Sequence, residues 1–287
     1  GGGAAGSLMQ GAAAKTYVDE VFSNTLWVGN MTDRDINTGL DMSGEGGLAW
    51  LYDRSGGTGG WLFDTVRGYN KFIRSSNTNT EGTETTMVSG FNSTGFALDG
   101  DGGQSDNTNY NGRDYISWNF RKAAGFFDIV TYTGNNASNH EIAHNLGSVP
   151  GCIIIKCLGV ADNWAVYHRD MDTSSPENYG MSINLTTARQ SGTNWWNNTA
   201  PTATHFTVGS GGFVNENGET FVAYIFAGGE SDAATARGVR FDGTDDYLSL
   251  GASSDFDMGT GDFTIECWLN RDDTSNNSAW TLGSYDN

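Results

Sequence analysis

Basic residues are scarce in this sequence: 15 Lys and Arg stand against 34 Asp and Glu, a formal net charge of -19 over 287 residues. Nucleic-acid binding rests on Lys and Arg neutralising phosphates, so nucleic acid is excluded as a partner, and an anionic membrane surface with it. The acidity is explained most simply as solubility, with salt screening the like charges. Long apolar runs are also missing. No segment approaches the roughly 18 residues that a membrane-spanning helix needs, so membrane insertion is not expected. Cysteine is limited to Cys152, Cys157 and Cys267, an odd set without a CxxC spacing. Buried free thiols are expected, with Cys152 and Cys157 on one extended strand.

Catalytic signatures are missing as well. Histidine occurs only as His140, His144, His168 and His205, and none has HExxH spacing. His140 and His144, four apart, would suit a metal pair on a helix, but the Asn-rich, Gly-bounded stretch around them predicts turn and strand. There is no GxSxG elbow and no Walker-type glycine loop, so the chain is not expected to be an enzyme of either kind. Carboxylate pairs of the glycosidase sort arise by chance in so acidic a chain. Asp242, Asp245 and Asp246 are weak candidates for calcium, since their spacing is not that of an EF-hand loop and an acidic turn accounts for them. No other metal and no cofactor is expected. Asn30, Asn92 and Asn184 head Asn-x-Ser/Thr sequons, which a chain rich in these residues produces by chance.

What is abundant points to strands. The 41 Gly, with many Asn, Ser and Thr, supply turns, aromatics make up 12% of the chain, and helix-forming stretches are almost absent. An all-β chain follows. Residues 1–14 are a Gly/Ala tract, and the opening glycine and an apparent strand near Asn287 suggest a window on a longer polypeptide. Tyr17, Val18, Val21 and Phe22 share a face at helical spacing, predicting one short helix over Lys15–Phe22.

The strongest signal is an internal repeat. Trp27-Val28-Gly29-Asn30 answers to Tyr132-Thr133-Gly134-Asn135, Ile36–Leu40 to Ile142–Leu146, and Gly47-Leu48-Ala49-Trp50-Leu51 to Gly151-Cys152-Ile153-Ile154-Ile155. Trp61-Leu62-Phe63 then answers to Trp164-Ala165-Val166, Phe96-Ala97-Leu98 to Phe206-Thr207-Val208, and Asn111-Gly112 to Asn217-Gly218. Asn-Gly marks a hairpin, because a type I′ turn needs positive φ at both central residues. The strand after the first alternates, with Ile116, Trp118 and Phe120 predicted to be buried and Tyr115, Ser117 and Asn119 to face away. After the second, Val222, Tyr224 and Phe226 repeat the buried face, yet Phe221, Ala223 and Ile225 make the other face apolar too. Something must cover it: the other repeat, the leader, or a neighbouring copy of the chain, which is the favoured expectation.

The expected organisation is a leader with a short helix (1–25), two tandem antiparallel β-sandwiches (26–125 and 126–229), and the beginning of a third, jelly-roll sandwich (236–287). Trp195 and Trp196, flanked by Asn194, Asn197 and Asn198, are the candidate ligand-binding residues, because an exposed ring can stack on a pyranose while amides bond its hydroxyls. The plainer expectation, favoured on strand alternation, puts one ring in the core and its neighbour outside.

Two resemblances add to this. Phe241-Asp242-Gly243-Thr244-Asp245-Asp246-Tyr247-Leu248, followed by Phe263-Thr264-Ile265-Glu266-Cys267-Trp268-Leu269, resembles the opening of laminin-G-like, concanavalin A-like domains. That implies a two-sheet sandwich of a kind that commonly binds glycans or proteins, sometimes through calcium. Residues 15–229 resemble a unit of marine bacteriophage structural proteins, especially tail-fibre-like ones, on Phe126-Phe127-Asp128-Ile129-Val130-Thr131-Tyr132-Thr133-Gly134, Ala143-His144-Asn145-Leu146-Gly147-Ser148-Val149-Pro150-Gly151 and Trp164-Ala165-Val166-Tyr167-His168. The first repeat departs from it at Asn37-Thr38-Gly39-Leu40-Asp41. This resemblance implies a non-enzymatic virion protein of the phage tail, assembled in the bacterial cytoplasm. Its expected partners are itself as a homotrimer, other virion proteins, and a host surface glycan or protein receptor. The alternative is a carbohydrate-active tailspike or depolymerase whose active site lies beyond residue 287.

Overall fold

The computed structural model describes residues 16–56, 59–100 and 108–229. The chain divides into two units, Gly1–Ala236 and Arg237–Asn287, and the described residues all belong to the first. The expected lectin-like strands, with Asp242, Asp245, Asp246 and Cys267, and the Gly/Ala leader lie outside the described residues.

The fold is all-β. The first repeat carries β1 (Phe22–Val28), β2 (Arg34–Asn37), β3 (Gly47–Asp53), β4 (Gly59–Asp64), β5 (Gly68–Arg74), β6 (Gly82–Thr83), β7 (Val88–Asn92), β8 (Gly95–Leu98) and β9 (Asp114–Arg121). The second carries β10 (Phe127–Thr133), β11 (His140–Ala143), β12 (Pro150–Cys157), β13 (Ala165–His168), β14 (Tyr179–Gly180), β15 (Gln190–Ser191), β16 (His205–Val208) and β17 (Thr220–Ala227). Two single-turn helices, α1 (Thr193–Trp196) and α2 (Gly212–Asn215), interrupt the second.

Strand order repeats with the sequence. The first large sheet runs β1-β9-β3-β4-β5-β6 and its small sheet β2-β8-β7; the second large sheet runs β10-β17-β12-β13 and its small sheet β11-β16. Trp50 lies opposite Trp118 on the neighbouring strand, as Ile154 lies opposite Tyr224. One detail of the sequence match is corrected. Trp50 pairs with Leu62 and Ile154 with Val166, so Trp61 corresponds to Ala165. A one-residue slip moves a side chain to the other face of a sheet, and Trp164 accordingly turns away from the core that Trp61 joins.

Each large sheet is apolar on both faces because each is covered twice. One face of the first meets β2, β7 and β8 around Trp27, Ile36, Trp61, Phe63, Phe96 and Tyr115. One face of the second meets β11, β16, α1 and α2 around Ile153, Ile155, Trp196, Phe206, Phe221 and Ile225. The remaining faces pack on each other through Leu48, Leu62 and Ile73 against Ile129, Trp164, Val222 and Tyr224. The two sandwiches therefore stack into one body, small sheet outermost at either end. Phe120 joins the layers, its ring 5.5 Å from Phe127 and 5.2 Å from Phe226, and aromatic pairs of this kind contribute about 0.5–1.5 kcal/mol beyond their buried area.

This stacking corrects three expectations. Phe221, Ala223 and Ile225 are covered by their own small sheet, and Val222 and Tyr224 by the first repeat, so no neighbouring chain is needed over β17. On β9 the faces are reversed: Tyr115, Ser117 and Asn119 are fully buried, whereas Ile116, Trp118 and Phe120 are only half-buried. Small polar groups are tolerated there because Asn119 Nδ2 donates to Ser117 Oγ at 3.0 Å and to the Ser23 carbonyl at 3.3 Å, which offsets their desolvation. The expected helix over Lys15–Phe22 shrinks to a 3₁₀ turn, Val18–Glu20. Phe22 already belongs to β1, and Tyr17 and Val18 are exposed.

Candidate functional site

The seam between the repeats holds a network of charges built on a buried ion pair. Asp64 ends β4 and Arg67 follows in the turn to β5, with side-chain exposures of 0% and 2%. Asp64 Oδ1 accepts the backbone N–H groups of Val66 and Arg67 at 3.0 and 2.8 Å, and its Oδ2 accepts Arg67 Nε at 2.5 Å. From the second repeat, the Tyr224 hydroxyl donates to Asp64 Oδ2 at 2.8 Å. That hydroxyl also accepts Arg67 Nη2 at 3.1 Å. Arg67 Nη1 reaches Glu81 at 3.2 Å, and Lys71 Nζ stands 3.5 Å from the same carboxylate. Burial alone pulls the guanidinium toward neutrality, but Tyr224, Asp64 and Glu81 together outweigh it and hold Arg67 firmly charged. Burial likewise pushes the Tyr224 phenol well above its ordinary value.

Beside this network opens a cleft of about 360 Å³, lined by Phe72, Arg74, Asn79, Thr80, Glu81, Gly82 and Ala161. The Arg74 guanidinium lies 3.6 Å above the Trp61 ring. Trp164 closes the seam behind it, Nε1 donating to the carbonyls of Arg74 and Asn77 at 3.0 and 3.2 Å. The cleft lining carries no Ser–His or Cys–His pair, and Glu81 is engaged by two cations.

Trp195 and Trp196 sit elsewhere, and neither expectation for them holds. Both lie on α1, not on a strand, and both are buried, at 5% and 2% exposure. Trp195 packs on Phe213 at 4.4 Å and Trp196 on Tyr167 at 5.8 Å. Neither ring offers an open face to a sugar. Asn197 and Asn198 take positive φ of 52° and 51°, a conformation that asparagine tolerates, and so end the helical turn.

The histidines are dispersed over structural roles. His140 Nδ1 bonds Asn215 Oδ1 at 3.0 Å, His144 Nδ1 accepts the Leu146 N–H at 3.3 Å, and His168 and His205 are exposed. Among the described residues, no three His, Cys, Asp or Glu side chains gather as metal ligands. Cys152 and Cys157 are free and share β12; burial raises the Cys152 thiol to about 11, which keeps it protonated and unreactive.

A repeated clasp escaped the sequence analysis. Asn109 Oδ1 accepts the Asn30 N–H at 3.1 Å and its Nδ2 donates to the Thr32 carbonyl at 2.9 Å. Asn215 Oδ1 accepts the Asn135 N–H at 2.9 Å and its Nδ2 donates to the Ala137 carbonyl at 2.8 Å. The legible signal is an Asn-x-Asn-Gly run, Asn109–Gly112 and Asn215–Gly218, at the same place in both repeats. Gly29 and Gly134 precede the clasped turns, and a Cβ on either would strike the carbonyl oxygen of Tyr110 or Glu216.

These features define a class: a duplicated all-β protein whose two sandwiches stack through their large sheets. The chain belongs to the family described as Domain of unknown function (DUF7483), whose model matches residues 18–235. No curated protein and no solved structure matches it.

Proposed function

We propose that this chain is a non-enzymatic structural and adhesion protein of a phage particle, a tail fibre or tail-associated protein. In this reading the stacked sandwiches are a rigid spacer or attachment module, self-associated and joined to other virion proteins, and the laminin-G-like segment presents a surface to a host glycan or protein receptor. The observation that carries it is the seam. Asp64, Arg67, Glu81 and Tyr224 tie the two repeats together beside the cleft, at the junction where a hinged two-domain enzyme would need them to part. A stiff body suits transmission of force and position. The resemblance of residues 15–229 to marine phage tail-fibre-like proteins supplies the setting.

The test has two arms. Gold-labelled antibodies against the purified chain, imaged on intact particles by electron microscopy, are expected to decorate the tail; decoration of no particle contradicts the virion assignment. Incubation of intact particles with host surface polysaccharide is expected to release no reducing ends. Sustained release would favour the alternative, a depolymerase.

A further inference from the structure

The face of the first large sheet that packs on the second repeat is longer than its cover. Its cross-strand rows lose burial in order. Phe22, Phe120, Leu48 and Asp64 form one row, in which Leu48 and Asp64 are fully buried. Asn24, Trp118, Trp50 and Leu62 form the next, exposed at Asn24 and buried at Leu62. Leu26, Ile116 and Tyr52 form the last, with Leu26 62% and Tyr52 38% exposed, and Val28 beyond Leu26 is 54% exposed. The apolar surface that welds the repeats thus runs on, uncovered, toward β1.

Among the described residues, β1 is also the edge of that sheet. At the two ends of its ladder, Val21 O accepts the Arg121 N–H and the Gly29 N–H donates to Arg113 O. By the two-residue period of a strand, the odd-numbered residues face β9, and the backbone groups of Phe22, Asn24 and Leu26 point away from the sheet. The strand, Phe-Ser-Asn-Thr-Leu-Trp-Val, carries no charge and no proline, the devices that normally blunt an edge. The second repeat serves as an internal control. The match of Trp27 to Tyr132 puts Thr131 and Thr133 where the first repeat has Leu26 and Val28, and both threonines are exposed. The fold therefore does not require apolar side chains at these positions.

We propose that the β1 edge, with Leu26, Val28, Ile116 and Tyr52, is the surface on which a second copy of this chain docks. The partner is argued from the chain itself, since this same sheet face already packs on its own duplicate, and the open patch is continuous with that contact. A net charge of -19 per chain also opposes self-association at most surfaces, whereas β1 itself carries no carboxylate and the exposed Asp114 opposite Val28 stands at the end of the patch. Two such edges meeting about a twofold axis satisfy each other's backbone and bury both patches in a closed pair. The inference deepens the self-association part of the reading above by naming its surface, and holds whether or not the chain serves a phage.

Sedimentation velocity of the full chain, from about 1 to 100 µM, a range suited to modest interfaces, tests it. The wild type is expected to self-associate. The L26T/V28T double variant, which copies the second repeat, is expected to dissociate at least about tenfold more readily while keeping its circular dichroism, and V149T, altered at another exposed valine, to behave as wild type. A wild-type monomer throughout would overturn both the surface and the self-association reading. An oligomer unaffected by L26T/V28T would overturn the surface alone, as would amide-exchange protection of the outward N–H groups of Phe22, Asn24 and Leu26 in a monomer, which would place another segment or partner on the edge.

Discussion

Asn109 and Asn215 occupy the same position in the two repeats and bind equivalent backbone groups, each clasping the turn after the first strand of its sandwich to the turn before the last. Both are fully buried. Asn109→Ala or Asn215→Ala removes two part-buried hydrogen bonds to the clasped backbone, and each substitution is expected to cost about 1–3 kcal/mol, the net worth of two such bonds. Urea unfolding measures it; a loss below about 0.5 kcal/mol at both sites would show that the clasp is incidental.

The seam separates two effects. Tyr224→Phe removes one hydroxyl but leaves the Asp64–Arg67 pair intact, so a loss of about 1–2 kcal/mol is expected. Arg67→Met strands the buried Asp64 carboxylate and is expected to cost about 3–5 kcal/mol. The same melts give both values, and the order Arg67→Met worse than Tyr224→Phe is the point at issue. A reversed order would mean that Arg67 is solvated.

His144 predicts a pH dependence. Burial lowers its affinity for a proton below the ordinary value of 6.5, against the opposing pull of the Thr202 backbone and Asp128, with His205 adding to the lowering. The unfolded chain therefore binds a proton that the folded chain refuses. Stability is fully present above pH 6.5 and falls as pH drops from there toward the depressed folded value. The first repeat has Thr38 in this place, its Oγ1 accepting the Leu40 N–H at 3.2 Å as His144 accepts that of Leu146. His144→Thr should keep the fold and flatten the melting temperature between pH 7.5 and 5.5. An unchanged slope would assign the dependence to other groups.

Trp195 and Trp196 are expected to act on stability. Trp196→Ala removes a ring that is 2% exposed and should cost about 3–5 kcal/mol. Glycan-array binding per folded molecule should stay the same for Trp195→Phe, which keeps an aromatic ring in the core. Specific loss of glycan binding in a fully folded Trp195→Phe protein would restore the stacking role.

The fold was legible where a signal is local. Asn111-Gly112 and Asn217-Gly218 announced turns, and their glycines take positive φ, 78° and 81°; Asn111 and Asn217 do not, and β9 and β17 pair with strands from earlier in each repeat, so these turns are not the type I′ hairpins expected. The Trp27-to-Tyr132 match placed rings that stack on Tyr115 and Phe221 at the same 12° interplanar angle. What failed depended on a partner layer. Alternation on β9 shows two faces but cannot say which lies inside when both are covered, so Ser117 and Asn119 were assigned to the wrong one. The Trp195-Trp196 pair has no period that separates a strand from a single helical turn. The seam was hidden because Asp64 and Tyr224 lie far apart in the chain, although an acid closing the apolar run Trp61-Leu62-Phe63 was the one visible hint.

The central claim is that two sandwiches stack through their large sheets into one body. Differential scanning calorimetry of the full chain tests it most directly. A single transition spanning residues 16–229, assigned by amide exchange, with calorimetric and van't Hoff enthalpies equal, is the expected result. Two resolved transitions, one for each repeat, would contradict it.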